Sequence, residues 1–245
     1  MALETQPSPS KAAEQTAGTC RLGVYGGTFD PIHIGHLIIA EEARARLGLD
    51  SILFVPARVS PLKLPGTCFS VEDRLRMVDL AVRDNPHFCV SRVDVDRPGP
   101  SYTADTLRAL QEAYPDAELY FIMGADSLES LHRWYRPEEI IHRARLVVVS
   151  RPGHAIELDA LEAKLPGISD VVEPLTTLDI GISSTDIRRR LQVGLPIRYQ
   201  VPDVVEAYIR EHPPQRPFEA TEDKEHDSHP SCSPCDATES AGSCV

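Results

Sequence analysis

The stretch Val24-Tyr25-Gly26-Gly27-Thr28-Phe29-Asp30-Pro31-Ile32-His33-Ile34-Gly35-His36-Leu37 joins a predicted first strand to a predicted first helix. Two consecutive glycines, Gly26 and Gly27, let the backbone come close to a ligand, and Thr28 adds a hydroxyl donor. A turn of this kind, just before a helix N-terminus, can surround phosphate oxygens with N–H groups. The stretch therefore predicts a phosphate-binding loop.

His33 and His36 are three residues apart within this stretch. On the first turn of a helix that spacing places both imidazoles on one side, with Gly35 leaving room between them. Imidazoles facing phosphates can donate hydrogen bonds and, when protonated, positive charge. The alternative is a tight turn with two surface histidines, but the whole ordered string favours phosphate binding. No Cys or carboxylate cluster at ligand spacing accompanies the pair, so a metal site is disfavoured.

Outward from this loop, short apolar runs alternate with amphipathic, helix-like stretches. That alternation predicts an α/β fold with a parallel sheet covered by helices, in which ligands bind beyond the carboxyl ends of the strands. Ser70 followed by Asp73 predicts a capped helix over 71–82, and Pro202 suits the first turn of a helix over 203–210. The predicted strands are Leu22–Tyr25, Ile52–Val55, Phe88–Val90, Leu119–Met123 and Leu146–Val149.

A second string, Gly181-Ile182-Ser183-Ser184-Thr185-Asp186-Ile187-Arg188-Arg189-Arg190-Leu191, places hydroxyl residues at a helix start and arginines one turn later. Either serine can be a simple N-cap. Yet a helix N-terminus also attracts anions, and Arg188 at the same end could clamp a triphosphate. We therefore expect Arg188 at the ligand, and Arg189 and Arg190 in solvent.

Length, composition and charge limit the number of domains and the classes of ligand. A chain of 245 residues with 42% hydrophobic positions can bury one sizeable core. We predict a working domain at 20–212, between a disordered leader at 1–19 and a disordered acidic tail at 213–245. The formal net charge is −12, which argues against a nucleic-acid binder. Residues 211–245 hold eight acids against two bases, so half of that charge is peripheral.

Targeting and metal signals are weak. No apolar run is long enough to span a membrane, and the first 18 residues lack the apolar block of a secretion signal, so we expect a cytoplasmic protein. Six unevenly spaced cysteines predict reduced thiols. The tail spacing of His226, His229, Cys232 and Cys235 could suit zinc, but its neighbours are typical of disorder. We assign no metal ligands in the domain.

Together the two strings resemble the nucleotidyltransferase family with His-x-Gly-His and Ile-Ser-Ser-Thr-x-Ile-Arg signatures, and within it the bacterial nicotinate-nucleotide adenylyltransferases. The resemblance covers about residues 21–211. Further strings resemble that family in the same order: 72–77 (EDRLRM), 99–107 (GPSYTADTL), 122–128 (IMGADSL), Trp134-Tyr135 and 149–153 (VSRPG).

The resemblance implies a Rossmann-like, doubly wound parallel sheet with helices on both faces. It implies a magnesium-dependent reaction of ATP with nicotinate mononucleotide that gives nicotinate adenine dinucleotide and pyrophosphate. His33, His36 and Arg188 would be catalytic. The ATP site would comprise Gly26, Gly27, Thr28, Phe29, His33, His36, Gly124, Asp126, Arg151, Ile182, Ser183, Ser184 and Arg188.

The resemblance places Thr103, Trp134 and Tyr135 around the nicotinate ring. Backbone N–H groups near Thr103 and Tyr135 would favour a carboxylate over an amide, and Trp134 could stack on the ring, although it could also be an ordinary core aromatic. The family often has Pro-Pro-His-Lys where this chain has Ser60-Pro61-Leu62-Lys63. The histidine is replaced by Leu62, and Lys63 remains as a predicted phosphate contact.

Several alternatives stay open at this point. His-x-Gly-His also occurs in class I aminoacyl-tRNA synthetases, but no Lys-Met-Ser-Lys-Ser-like string is present. A cytidylyltransferase, a pantetheine-phosphate adenylyltransferase and a non-catalytic nucleotide sensor are the others. The sequence leaves homo-oligomerisation open.

Overall fold

The first strand, β1 (Cys20–Gly27), lies in the middle of a six-stranded, wholly parallel sheet in the computed structural model of the chain. The structure describes residues 19–61, 67–150, 158–177 and 180–215. The strand order is β3-β2-β1-β4-β5-β6. The other strands are β2 (Ser51–Pro56), β3 (Phe88–Val90), β4 (Ala117–Gly124), β5 (Ala144–Ser150) and β6 (Val172–Thr176). This order is that of a doubly wound Rossmann-like sheet, which confirms the predicted fold class.

All five predicted strands are present, each at or within a few residues of its expected bounds. β6 was not predicted. It is an edge strand that pairs only with β5, and it contains Glu173 and Pro174. Pro has no N–H to donate to a neighbouring strand and is therefore tolerated mainly at a sheet edge. With Glu173 and Pro174, β6 lacks the continuous apolar run that marks a central strand in the sequence.

Helices connect the strands, and their ends show the expected local chemistry. Ser70 Oγ accepts the Asp73 N–H at 3.1 Å and so caps α2 as predicted. Pro202 lies just before α9, at the N-cap and not in the first turn. The helices are α1 (Ile34–Leu47), α2 (Val71–Val82), α3 (Val93–Asp96), α4 (Thr103–Ala113), α5 (Ala125–Ser130), α6 (Pro137–Arg143), α7 (Asp159–Glu162), α8 (Ser184–Gln192) and α9 (Asp203–Glu211).

Two hydrophobic cores cover the two faces of the sheet. Ile52 and Phe54 of β2 point into one core, whereas Leu53 and Val55 point into the other, as the two-residue period of a strand requires. The first core takes residues from α1, α2, α8 and α9, and the second from α4, α5 and α6. Helices therefore pack on both faces.

The chain reverses its direction of travel across the sheet between β1 and β4. From β1 it moves outward through β2 to β3, then returns to place β4 on the other side of β1. At such a point the loops beyond the carboxyl ends diverge and leave a crevice. In the part of the chain that the structure describes, no helix combines the length and apolar character needed to span a bilayer.

Candidate active site

A cavity of about 590 Å³ opens at this reversal point. It brings together residues from the ends of β1 and β4, from the segment after β2 and from the start of α4. Its lining includes Gly26, Gly27, Thr28, Ala57, Ser60, Pro61, Asp94, Ser101, Tyr102, Thr103, Thr106, Phe121, Ser127, Arg133, Trp134 and Tyr135. The predicted glycine loop and the predicted ring-binding residues thus line one cavity.

The glycine loop owes its shape to Phe29, which has a left-handed φ of 48°. Its ring folds back over Gly27, where a Cβ would lie only 3.0 Å from it. The ring is buried and contacts Tyr25, Phe54 and His36. Only the backbone of Phe29 can therefore serve the ATP contact predicted for this residue.

The two histidines of the loop are stacked. Their ring centroids are 3.6 Å apart with an interplanar angle of 26°. His33 precedes α1 as its N-cap residue and His36 lies in the first turn, so only one of them is helical. A Cβ on Gly35 would lie 3.1 Å from His33 Nδ1, which confirms that Gly35 leaves the imidazole room.

Burial makes His33 and His36 chemically different. His33 is 6% exposed, and desolvation lowers its pKa to about 4, so it is neutral at neutral pH and supplies no positive charge. His36 is half-buried, and its Nδ1 accepts the His33 backbone N–H at 3.2 Å. With Nδ1 as the acceptor, the proton of a neutral His36 lies on Nε2, which becomes a donor.

The second string converges on the first. Ser184 Oγ donates to the Pro31 carbonyl at 2.9 Å, and Arg188 Nη1 donates to the Asp30 carbonyl at 2.8 Å. Ser183 Oγ accepts the Asp186 N–H at 3.1 Å and is the N-cap of α8. The two predicted segments, more than 150 residues apart in sequence, therefore contact each other beside the cavity. Of their residues, Gly26, Gly27 and Thr28 line the cavity, whereas His33, His36, Ser183, Ser184 and Arg188 lie outside its described lining.

The aromatic residues that line the cavity lie in the segments directly before α4 and α6. Thr103 is the first residue of α4, and the rings of Tyr102 and Tyr135 pack at a tilt of 34° with their centroids 4.5 Å apart. Trp134 Nε1 donates to Ser130 Oγ at 3.2 Å, which fixes the half-buried indole at the cavity wall. Trp134 is thus a lining residue as well as a packed aromatic.

Other predicted residues lie apart from this cavity or cannot be placed. Gly124 ends β4, and Asp126 is in the first turn of α5. Both residues are exposed and lie outside the described cavity lining, although Ser127, the next residue of α5, belongs to it. Ile182 packs against the first core. Lys63, Arg151 and the tail residues His226, His229, Cys232 and Cys235 lie outside the described residues.

Comparison with known proteins places this architecture in a family. The sequence model of the cytidylyltransferase-like family matches residues 24–190. A protein of Thermomicrobium roseum named "Probable nicotinate-nucleotide adenylyltransferase" is 48% identical over 200 residues, covering 82% of this chain and 94% of the relative. A Roseiflexus protein of the same name is 50% identical over 191 residues, covering 78% and 96%. The chain belongs to the nicotinate-nucleotide adenylyltransferase family.

Solved structures agree on the fold of this adenylyltransferase family member. The Plasmodium falciparum nicotinic acid mononucleotide adenylyltransferase complexed with NaAD superposes with a TM-score of 0.65 at 18% identity, covering 78% of this chain and 95% of that one. Membership of the family removes the aminoacyl-tRNA synthetase and pantetheine-phosphate adenylyltransferase alternatives raised by the sequence.

Two charged residues that organise this adenylyltransferase site were missed as site residues by sequence reasoning. Asp30 is buried, and its carboxylate accepts the N–H groups of Cys68 and Phe69 at 2.9 and 3.0 Å. Arg74 is fully buried, and its Nη1 donates to the Thr28 carbonyl at 2.6 Å. Both residues lie in strings that the sequence analysis singled out, Asp30 in the stretch 24–37 and Arg74 in the string 72–77. The sequence could not show their hydrogen-bond partners, because those partners lie about 40 residues away along the chain.

Within the four described ranges, no three side chains of His, Cys, Asp or Glu come together as a metal-binding group. The described part of the site therefore offers no protein cage for a divalent ion.

Proposed function

We propose that the chain transfers the adenylyl group of ATP to nicotinate mononucleotide, giving nicotinate adenine dinucleotide and pyrophosphate. One observation carries the proposal. The two signature segments are joined through Ser184 and Arg188 at the edge of a cavity that has a glycine loop and an aromatic set in its lining. A site of this kind suits two phosphate-bearing nucleotides held together. The names of the relatives agree with it.

ATP is placed on the side of the cleft formed by β1, α1 and α8. Gly26, Gly27, Thr28 and the Phe29 backbone surround its phosphates, together with His33, His36 and the N-terminus of α8 at Ile182, Ser183 and Ser184. Gly124, Asp126 and Arg151 complete the nucleotide contacts. The mononucleotide is placed against Thr103, Trp134 and Tyr135, with Lys63 toward its phosphate.

The reaction needs no general base. An oxygen of the mononucleotide 5′-phosphate attacks the α-phosphorus of ATP, a new P–O bond forms, and the bond to the α,β-bridging oxygen breaks with its electron pair leaving on pyrophosphate. The second pKa of the attacking phosphate is about 6, so it is mostly dianionic at neutral pH. Catalysis reduces to aligning two anions and stabilising the charge that develops.

His36 and Arg188 have different parts in that task. The Nε2–H of His36 donates to the phosphates, since Nδ1 is engaged by the His33 N–H. Arg188 Nη1 holds the Asp30 carbonyl, and the guanidinium lies 3.7 Å from the Asp30 carboxylate. Arg188 thus stabilises the loop through Asp30, and we propose that its positive charge also acts on the ATP phosphates, as predicted from the sequence.

Magnesium enters with ATP in this proposal. Mg²⁺ at nucleotide sites is held largely by substrate phosphates and water, with one or two carboxylates. We therefore place the ion on the ATP phosphates and assign it no protein ligand. When bound there, it neutralises part of the phosphate charge.

An assay with ATP, Mg²⁺ and nicotinate mononucleotide tests the proposal. We expect pyrophosphate release that depends on the mononucleotide, and a product with the mass of nicotinate adenine dinucleotide. Binding of ATP without pyrophosphate release would instead support a nucleotide sensor. Turnover with a cytidine nucleotide in place of ATP would support a cytidylyltransferase.

We also propose that the enzyme works in the cytoplasm, where its nucleotide substrates occur, and that residues 20–212 form the catalytic domain. The formal charge of −12 argues against a nucleic-acid partner, while small anionic nucleotides can still be bound locally.

A further inference from the structure

Arg133 is a cation in the cavity lining that the preceding sections have not used. It ends the short 3₁₀ turn Leu131–Arg133, directly before Trp134. Leu131 is fully buried and Trp134 is held by Ser130, so the backbone on both sides of Arg133 is anchored. The side chain itself is exposed at the cavity.

Among the lining residues that the structure describes, two carry charged side chains, Asp94 and Arg133. Asp94 is buried and already engaged: its Oδ1 accepts the Thr106 hydroxyl at 2.6 Å and Arg97 Nη2 at 3.0 Å. Arg133 forms no hydrogen bond or ion pair with any of the described residues. Within the described lining, its guanidinium is thus the charged group that remains available to a ligand.

The nearby Arg136 provides the contrast. It donates to Glu139 Oε1 at 2.9 Å and its guanidinium lies over the Tyr135 ring at 5.0 Å. It is absent from the cavity lining. Of these two arginines three residues apart, one is committed to the protein and the other faces the cavity.

The position of Arg133 decides which part of the ligand it meets. The phosphate-binding loop is built by β1, whereas Arg133 precedes the aromatic residues Trp134 and Tyr135 assigned to the pyridine ring. We propose that Arg133 is a specificity-determining residue that pairs with the ring carboxylate and so selects nicotinate over nicotinamide mononucleotide; this inference rests on the proposed function.

The chemistry of the two rings gives the reason. A guanidinium presents several N–H donors in a planar fork that matches a carboxylate, and such charge-assisted hydrogen bonds are about twice as strong as neutral ones. A carboxamide has one acceptor oxygen, no charge and an NH₂ that cannot accept from Arg133. The pairing adds to the backbone donors expected near Thr103 and Tyr135.

Steady-state kinetics of Arg133→Gln with both mononucleotides tests the inference. Because the two acceptors share ribose and phosphate, the ratio of their kcat/KM values isolates the carboxylate. We expect kcat/KM for nicotinate mononucleotide to fall about tenfold, which corresponds to about 1.4 kcal/mol, with the nicotinamide value unchanged. Arg133→Lys keeps the positive charge but lacks the planar fork of donors, so its kcat/KM for nicotinate mononucleotide should lie between the values of the wild type and Arg133→Gln. Arg136→Gln should leave the ratio as in the wild type.

A direct binding measurement complements the kinetics. Trp134 is the sole tryptophan of the chain, so its fluorescence reports ring binding next to position 133. Titration of wild-type and Arg133→Gln protein should show about tenfold weaker binding of nicotinate mononucleotide in the variant.

Three outcomes would overturn the inference. Unchanged kcat/KM values for both mononucleotides in Arg133→Gln would place the carboxylate selection elsewhere. An equal loss with both mononucleotides would place Arg133 on the shared phosphate or ribose. A change of ratio in Arg136→Gln as large as in Arg133→Gln would make the effect one of general surface charge. A wild-type protein that forms no dinucleotide from either acceptor would instead refute the proposed function, and this inference with it.

Discussion

His33 and His36 stack on each other, yet burial separates their chemistry. His33 is enclosed at the start of α1 and is neutral at neutral pH, whereas His36 is half-buried and carries its proton on the nitrogen opposite the α1 cap. The signature thus pairs one buried, neutral imidazole with one that can donate to a phosphate. Each role leads to its own prediction.

Replacing His36 with alanine removes the proposed transition-state donor. We expect His36→Ala to lower kcat at least about 100-fold, the scale seen when one such donor is lost. His87→Ala is the control, because His87 is an exposed histidine that precedes the edge strand β3, away from the carboxyl ends of the strands where the site lies. Rates within a few-fold of wild type for His36→Ala would refute this role.

The low pKa of His33 links folding stability to pH. The folded state holds His33 neutral down to about pH 4, while the unfolded chain protonates it near its ordinary pKa of 6.5. Since the unfolded state binds more protons in this window, stability falls as pH drops from 6.5 toward 4, by about 2 to 3 kcal/mol. Urea unfolding at pH 7 and pH 4.5 measures it.

The variant His33→Gln lacks this titration, so the loss of stability between the two pH values should be smaller than in the wild type by about that amount. Equal losses in the two proteins would show that His33 titrates normally in the folded state.

Among the helices, α2 contributes an unexpected polar anchor. Arg74 donates to the Thr28 carbonyl and, at 3.4 Å, to the Arg58 carbonyl, so one guanidinium ties together the loops after β1 and β2 that line the cavity. Burial lowers the pKa of Arg74, and the Asp30 carboxylate opposes that shift. A helix that packs on the sheet therefore also sets the shape of the phosphate-binding loop.

Arg74→Met should leave the Thr28 and Arg58 carbonyls without their donor and remove a positive charge that interacts with Asp30. We expect a loss of about 3 kcal/mol in the free energy of unfolding and a raised KM for ATP. Arg76→Met is the matched control on the same helix, because Arg76 is exposed and paired with Asp79 at 2.8 Å. Chemical denaturation and ATP titration measure both; equal effects of the two variants would contradict the role of Arg74.

At the scale of the whole molecule, α9 packs against the first core. The described part of the chain ends shortly after this helix, at Gln215. Val205 and Ile209 of α9 are buried, and the Gln215 N–H donates to the Cys68 carbonyl at 3.0 Å. We expect removal of residues 216–245 to leave melting temperature and turnover unchanged. Removal of 203–245 should cost about 3 to 6 kcal/mol for these two side chains alone. Thermal melts of both truncations decide it, and a large loss from the shorter deletion would contradict the predicted domain boundary.

The order of elements and the place of the phosphate-binding loop were predictable from sequence. Apolar periodicity marks β1 to β5, and Gly26, Gly27 and the Ser183-Ser184 pair carry their turn and cap chemistry in a few neighbouring residues. β6 was not predicted, because an edge strand tolerates Glu173 and Pro174, and these residues interrupt the apolar run by which the other strands were recognised.

Local sequence therefore determined which segments form strands, helices and a phosphate-binding turn, because those preferences act between residues close along the chain. Tertiary structure alone decided that His33 is neutral, that Arg74 is buried beneath Thr28, that Arg188 holds Asp30, and that Arg133 is available while Arg136 is engaged. Protonation and pairing depend on solvent exclusion and on partners supplied by the fold, some from more than 150 residues away, and no short window of sequence contains them.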